Sequence, residues 1–540
     1  MKKLYIFTVL LFGILQNFAQ QRNVILIIAD DLGKDYCDIY SDHAPIIVNL
    51  TNVKRLLPRG IVFNNAWSNP LCSPTRAGIL TGRYSFRTGV GDVVDGTNPK
   101  LSLTENSIPK VLNLFSPNGI SKACIGKWHV TTNAPSGYSY PNTLGFDHYE
   151  GCLSGAVGAP GQTVYGYNNW AKVTDGVSST CTNYATTENV NNAISYITTQ
   201  SAANPTKPFY LHLAFNAPHV PYHLPPTNLL INNTLSGTAA DITANPRNYF
   251  KAMVEAMDTE IGRFFDYLVI SGKWDTTDII FIGDNGDDSL VAQSTPAKGS
   301  VYQGGVTVPF IISGPDVVNP NRTSDALVNT ADIFSTVLEL FGDTNWQSQI
   351  PTTVVDSKSL LPIILNTATV ARPWEFSEVF KNPALTTDGK AIRNQDYKLI
   401  KFDNGTEKLF NLTLNPTETT NLLTGIMSAT DISNYNYLCS EITSLVGNAT
   451  VSGTAISCST LATDSFSISN NEIYVIENPF SSKINLNRTP NDDDFELYSI
   501  KGEKIFEGKN ITEKDFSYLS NGIYFVKVMN QNKVFKIIKK

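Results

Sequence analysis

The chain has 540 residues, 42% hydrophobic and 10% aromatic, with 41 basic and 48 acidic side chains and a net charge of −7. That composition is globular, the length predicts two to four domains rather than one, and nothing in the acidic balance suits a nucleic-acid binder. An anionic substrate must be drawn in by local charge rather than by the field of the whole molecule.

In chain order, residues 1–20 read as a secretory signal peptide: Lys2 and Lys3, an apolar run over 4–15, and a polar exit near Ala19. The run is too short for a comfortable transmembrane helix, and no later stretch approaches membrane length. The expectation is an exported protein that is not transmembrane. Residues 23–29 (Asn-Val-Ile-Leu-Ile-Ile-Ala) have the pattern of a strand buried on both faces. They end in Asp30-Asp31-Leu32-Gly33. Ligands of open α/β sheets gather at the carboxyl ends of the strands, and two adjacent carboxylates there are costly without a cation. Alone, the pair also reads as an exposed acidic turn.

Residues 71–83 (Leu-Cys-Ser-Pro-Thr-Arg-Ala-Gly-Ile-Leu-Thr-Gly-Arg) place Cys72 at the start of a helix, because Pro74 presets φ for a first turn. Backbone N–H groups and the helix dipole favour negative charge there, and Arg76 falls one turn on, on the same face. A buried thiol before an ordinary helix is the plainer reading of Cys-Ser-Pro alone. Two more strand-like runs, 121–125 and 208–215, close on Gly126-Lys127-Trp128-His129 and on Asn216-Ala217-Pro218-His219-Val220-Pro221. Only six His occur in the chain, and two of them end successive strands. Another buried-type strand, 278–282, ends in Gly283-Asp284-Asn285-Gly286, and Lys298 follows fourteen residues after Asp284. Oxygen-bearing side chains at two strand ends suit a hard cation, whereas zinc would want His or Cys. The aromatic insert Tyr165-Gly166-Tyr167-Asn168-Asn169-Trp170 reads either as a platform for sugar rings or as a surface loop.

Seven cysteines in an exported chain leave at least one outside any disulfide scheme, with Cys72 the candidate. Cys152/Cys181 and Cys439/Cys458 are each spaced to close a local loop. Cys37 and Cys124 read equally as buried thiols.

The motif Cys-x-Pro-x-Arg with Leu-Thr-Gly-Arg resembles the signature of the type I, formylglycine-dependent sulfatases of the alkaline-phosphatase-like superfamily. Gly-Lys-Trp-His, Ala-Pro-His-x-Pro, Ala297-Lys298-Gly299-Ser300 and Ser359-Leu360-Leu361-Pro362 resemble further motifs of that family, in its order. The segment 304–310 resembles its Glu-Gly-Gly-x-Arg-x-Pro, with Gln303 and Thr307 in place of Glu and Arg, so no role is carried onto either. The resemblance implies a large mixed, mostly parallel sheet flanked by helices over 21–370. It also implies a small antiparallel subdomain with a helix over 371–448.

For the site, the resemblance implies Cys72 oxidised to formylglycine (3-oxoalanine) by a maturation enzyme. It implies one Ca²⁺ held by Asp30, Asp31, Asp284, Asn285 and the modified Cys72. Arg76, Lys127 and Lys298 would supply fixed positive charge, His219 the proton for the leaving oxygen, and His129 a partner for the hydrated aldehyde. Asp284 would take the proton during attack.

Residues 449–472 are a Ser/Thr/Ala-rich linker, and 473–540 consists of short alternating β runs ending Val534-Phe535-Lys536-Ile537-Ile538-Lys539-Lys540. These runs resemble the C-terminal sorting domain of the type IX secretion system of Bacteroidetes, a β-sandwich-like export address; the alternative is a carbohydrate-binding module. Together these features imply a secreted or cell-surface sulfatase acting on a sulfated glycan, such as the algal polysaccharides ulvan or carrageenan. Two alternatives stay open. One is a phosphodiesterase or phosphonate monoester hydrolase of the same superfamily, and the other is a non-catalytic binder of sulfated glycans.

Overall fold

The computed structural model describes residues 22–40, 47–157, 166–231, 234–382, 385–386, 388–446, 475, 478–486, 494–529 and 533–540. The expected signal peptide and linker lie outside them. The chain divides into two units, Met1–Ser457 and Cys458–Lys540.

The first unit is built on a ten-stranded sheet: β1 (Asn23–Ala29), β2 (Gly60–Trp67), β3 (Ser121–Gly126), β4 (His148–Gly151), β5 (Trp170–Thr174), β6 (Val177–Cys181), β7 (Phe209–Ala214), β8 (Thr277–Gly283), β9 (Phe310–Ser313) and β10 (Arg322–Asn329). Their spatial order is β10-β2-β9-β8-β1-β7-β3-β4-β5-β6. The run β8-β1-β7-β3-β4 is parallel throughout, with Ile27 opposite both Leu213 and Phe281. Strand β9 is antiparallel to both its neighbours, as is β5. The sheet is mixed, mostly parallel, and its centre is β1.

The apolar run of β1 is continuous because each face of the sheet carries its own core. Val24, Leu26 and Ile28 join one core, and Ile25, Ile27 and Ala29 join the other. On the first face lie the helices Cys72–Thr81, Ile108–Phe115 and Ile333–Leu340, through residues such as Ile79, Leu112 and Val337. On the second lie the long helices Ala185–Ala203 and Pro246–Ile270, through residues such as Val190 and Met257.

A four-stranded antiparallel sheet follows, β11 (Glu375–Val379), β12 (Gly389–Arg393), β13 (Tyr397–Phe402) and β14 (Glu407–Asn411), with the helix Ala429–Val446. The apolar set Trp67, Val306, Ala391 and Ile400 joins it to the main sheet, and Glu418, paired with Lys398 at 2.7 Å, accepts from the Gln303 N–H.

The second unit holds β15 (Phe495–Ser499), β16 (Lys504–Gly508), β17 (Gly522–Val528) and β18 (Lys533–Lys539), antiparallel in the order β16-β15-β17-β18. Its core includes Phe480, Phe495, Leu497 and Val526. Among the described residues no helix is long and apolar enough to cross a membrane.

Cys37, Cys72, Cys124, Cys152 and Cys181 are all buried free thiols. The Cys152/Cys181 loop that the spacing allows is therefore not closed. Cys152 follows β4 and Cys181 ends β6, with β5 between them, a separation of two strand spacings, about 9–10 Å, beyond the reach of a disulfide. Cys439 is disulfide-bonded, while Cys458, the other end of the second loop that the spacing allows, lies outside the described residues.

Candidate active site

Four adjacent strands, β8, β1, β7 and β3, point their carboxyl ends the same way, and each hands a polar segment to one place. β1 leads into Asp30-Asp31, β8 into Asp284-Asn285, β3 into Lys127-Trp128-His129, and β7 into the loop bearing His219. The fifth contribution is the helix Cys72–Thr81, whose N-cap is Leu71, so Cys72 opens it as the Pro74 spacing predicts. The chain leaves β1 in both directions across the sheet, which makes this the switch point where open α/β sheets bind ligands.

The thiol of Cys72 is buried, with Sγ 3.0 Å from His129 Nδ1. Burial pushes this thiol up, opposed by Lys127 and Lys298. Around it three cations meet three carboxylates. Lys127 Nζ donates to Asp30 Oδ2 at 2.5 Å, and Lys298 Nζ to Asp31 Oδ2 at 2.7 Å. Arg76 donates from Nε and Nη2 to Asp284 Oδ2 at 3.1 and 2.8 Å, and from Nη1 to the Lys127 carbonyl at 2.9 Å. His219 Nε2 lies 3.7 Å from Asp31 Oδ2, and its Nδ1 is 2.9 Å from the Val220 carbonyl. Every residue predicted for the site is thus in one cluster.

Burial pushes Asp30 well above the usual carboxylate range, with Lys127 opposing. Burial acts on Asp31 too, but Lys298, His219 and Lys127 hold it below that range. Burial, then Lys127 and Arg76, hold His129 well below the usual imidazole value, and burial takes His219 to about 3 against the pull of Asp31. Asp31 and His129 both have left-handed backbones, φ 63° and 55°, uncommon for residues with a Cβ and frequent at functional sites.

The oxygens fit a cation. Asp30 Oδ1 and Asn285 Oδ1 are buried acceptors with no hydrogen-bond partner among the described residues, which leaves both free to take an ion or water. Asn285 Nδ2 donates to Asp31 Oδ1 at 2.7 Å, and Asp284 Oδ1 accepts from the Asp31 N–H at 3.0 Å, so the two strand-end pairs are knitted together. Asp30, Asp31 and His219 bring one donor atom each within 4.8 Å of one another. With Asp30, Asp31 and Asp284 ionised, Arg76, Lys127 and Lys298 neutralise them, so a divalent cation would leave the cluster net positive.

Three supporting residues were not legible beforehand. Gly155 lies against the His129 ring, where a Cβ would come within 2.4 Å of Cε1. Asp287 accepts from the Gly33 N–H at 2.7 Å and fixes the turn after Asp30-Asp31; its place in the Gly283–Asp288 stretch was the one available signal. Tyr167 overturns the reading of the aromatic insert as a sugar platform. Tyr167 and Trp170 are buried in the core, at 2% and 0% exposure, and Tyr165 lies outside the described residues. Both rings belong to the core on the second face of the sheet, leaving no face for a sugar. Gln303, where the motif has Glu, accepts from Trp67 Nε1 at 2.9 Å and so has a structural role.

The fold and the site together define an alkaline-phosphatase-like hydrolase centre. Comparison with known proteins narrows this. A sulfatase family model matches residues 22–343, an N-sulphoglucosamine sulphohydrolase C-terminal model matches 297–436, and a secretion system C-terminal sorting domain model matches 475–540. The chain belongs to the sulfatase family, whose members are sulfuric ester hydrolases, and carries a type IX sorting domain. It is 25% identical over 379 residues to an N-acetylgalactosamine-6-sulfatase of Rattus norvegicus, covering 66% of this chain and 68% of that one. It is 25% identical over 489 residues to a sulfatase of Formosa agariphila, covering 75% of this chain and 85% of that one. Among solved structures it is similar to Ps i-CgsB in complex with k-i-k-neocarrahexaose, with a TM-score of 0.66, 24% identity, and coverage of 81% of this chain and 95% of that one.

Proposed function

We propose that the protein is an exported sulfatase that hydrolyses sulfate esters on a carbohydrate, with Cys72, matured to formylglycine, as its nucleophile. The observation that carries this reading is the Cys72–His129 contact of 3.0 Å inside a ring of three cation–carboxylate pairs. A non-catalytic binder of sulfated glycans would need the cations alone.

Asp30, Asp31, Asp284, Asn285 and the residue at position 72 would hold the cation, and the all-oxygen side chains of the first four favour Ca²⁺ over zinc. When bound, such a cation polarises a sulfate oxygen and acidifies a hydroxyl beside it. The remaining work falls to this chain's own side chains. Arg76, Lys127 and Lys298 stand where the sulfuryl group spreads negative charge in the transition state, and they need no reorganisation at that moment. His129 Nδ1 is placed to hold the hydroxyl proton of the group at position 72. Asp284, within the cluster, is the carboxylate placed to accept a proton during attack.

His219 presents Nε2 to the site while its Nδ1 faces the Val220 carbonyl, an acceptor, so Nδ1 holds the ring's resident proton and Nε2 delivers a proton to the leaving alcohol oxygen from the imidazolium form. Burial disfavours imidazolium at His219; a bound sulfate's negative charge works in the opposite direction and helps His219 hold that proton.

The sorting domain supports export through the type IX machinery to the cell surface or beyond, where sulfated polysaccharides are met. Relatives named for sugar sulfates support a glycan substrate, and we propose an algal polysaccharide such as ulvan or carrageenan, or its oligosaccharides. The test is free sulfate released from a panel of sulfated glycans after co-expression with a maturation enzyme, with Cys72→Ala as control. Equal release by the control would sink the mechanism. An unmodified Cys72 peptide mass would point back to a binder.

A further inference from the structure

The loop that carries His219 is held from behind by one hydroxyl. Tyr167 Oη lies 2.7 Å from both the Asn216 and the His219 carbonyl oxygens, so its one O–H is shared between two acceptors that bracket the turn Asn216-Ala217-Pro218-His219. The His219 N–H in turn donates to the Asn216 carbonyl at 3.0 Å, so the hydroxyl and the turn share one anchor. The ring of Tyr167 is pinned on two sides, 4.3 Å from His223 and 5.7 Å from Tyr184. His223 is fixed as well, with Nδ1 2.9 Å from the Pro221 carbonyl and Nε2 3.1 Å from the Tyr184 hydroxyl. The loop thus rests on an aromatic block tied to it at Asn216, His219 and Pro221.

This matters because, among the described residues, the imidazole has no hydrogen bond to a group outside its own loop. Its Nδ1 contact is to the adjoining Val220 carbonyl, which moves with the loop, and its Nε2 lies 3.7 Å from Asp31, beyond hydrogen-bond distance. The direction of Nε2 is therefore set by the backbone at 216–219. A proton donor must reach its acceptor within hydrogen-bond distance, so a small loop rotation removes acid catalysis without removing the acid.

We propose that Tyr167 is a positioning residue for proton transfer to the leaving group: it holds the His219 turn so that Nε2 faces the departing oxygen. This rests on the reading of His219 as the general acid. Loss of a proton donor hurts poor leaving groups and spares good ones, a pattern that simple loss of folded protein does not produce.

The experiment uses the mature, metal-loaded full chain and a series of aryl sulfates from 4-nitrophenyl to 4-methoxyphenyl sulfate. Tyr167→Phe, which keeps the ring and removes the hydroxyl, is expected to lose about tenfold more kcat/KM on the poorest leaving group than on the best. His219→Ala is expected to show the same trend more steeply. A flat Tyr167→Phe beside a steep His219→Ala overturns the positioning role alone, and a flat His219→Ala overturns the acid assignment beneath it. A second readout does not depend on turnover: ¹⁵N-histidine spectra should show the His219 ring in one environment in the parent and exchanging in Tyr167→Phe. Identical His219 resonances in the two proteins overturn the proposal.

Discussion

Cys72 Sγ and His129 Nδ1 lie 3.0 Å apart, although one opens a helix and the other follows a strand 57 positions along the chain. Two backbone features hold this contact. His129 has a left-handed φ of 55°, and its N–H donates to the Leu153 carbonyl at 3.1 Å. Gly155 then closes over the ring, leaving no room for a methyl group.

The first prediction follows from that fit. His129→Ala should lower sulfate release by about 10²–10⁴ if the imidazole handles the nucleophile's proton. Gly155→Ala should lower it too, because a Cβ placed 2.4 Å from the ring carbon must push His129 off Cys72. Steady-state kinetics with thermal melts separate the cases. A Gly155→Ala protein with full activity would show that the ring position is not critical.

The second concerns the cation. Asp30 Oδ1 and Asn285 Oδ1 lack hydrogen-bond partners among the described residues, and both are buried. Filling that gap should stabilise the fold, by about 2.7 kcal/mol when the free ion is at 100 times its Kd. Chelation with EGTA should lower Tm, and added Ca²⁺ should restore it. Asn285→Ala should reduce the shift while leaving the fold intact. A Tm indifferent to both chelator and Ca²⁺ rules out a metal at these oxygens.

The third is a pH dependence of stability, set by carboxyl groups outside the catalytic cluster. Burial pushes Glu375 up from 4.5 to about 8 and Glu378 up from 4.5 to about 7. Both lie on β11, and neither oxygen of Glu375 has a hydrogen-bond partner among the described residues. The folded state keeps these protons where the unfolded chain has released them. Stability is therefore greatest below about pH 4.5 as far as these groups are concerned, and falls as pH rises towards 7 and 8, by about 1.4 kcal/mol per pH unit for each retained proton. Lys398, lowered to about 8 by burial, acts in the opposite direction but only above that value. Urea melts at pH 5 and pH 8 should show the loss, and Glu375→Gln should flatten it. An unchanged slope in that variant would assign the effect elsewhere.

How much of this was readable beforehand depended on whether a residue's job was local. The strands were legible because β1, β7 and β8 are buried on both faces, which leaves an unbroken apolar run in the sequence. Most of the site side chains were legible because they follow a strand's carboxyl end or lie in the first turns of a helix, inside a short motif; Lys298, in a turn, was legible from its motif alone. What was hidden is whatever acts across the fold. Gly155 and Tyr167 matter through what lies opposite them, His129 and the 216–219 turn, and neither carries a motif of its own. The pairing of Cys152 and Cys181 was open in the sequence for the same reason: their spacing permits a loop, but β5 runs between them.

Arg76 is the strictest case of a residue whose geometry as well as charge is used. Its guanidinium reaches two strand ends at once, with two N–H groups on Asp284 after β8 and a third on the Lys127 carbonyl after β3. It is 1% exposed, so no water replaces a lost contact readily. A lysine there keeps the charge but offers one ammonium in place of a planar fork, and cannot hold both partners in the same geometry. Arg76→Lys should leave the buried Lys127 carbonyl without its donor, at a cost of about 1–3 kcal/mol in stability. Asp284 would lose its bidentate partner, and turnover should fall by about 10²–10³ as charge stabilisation is misplaced. The loss should appear mainly in kcat, because a positive charge near the sulfate remains for binding. If Arg76→Lys matches the parent in both kcat and Tm, the fork geometry is dispensable and net charge alone explains the site.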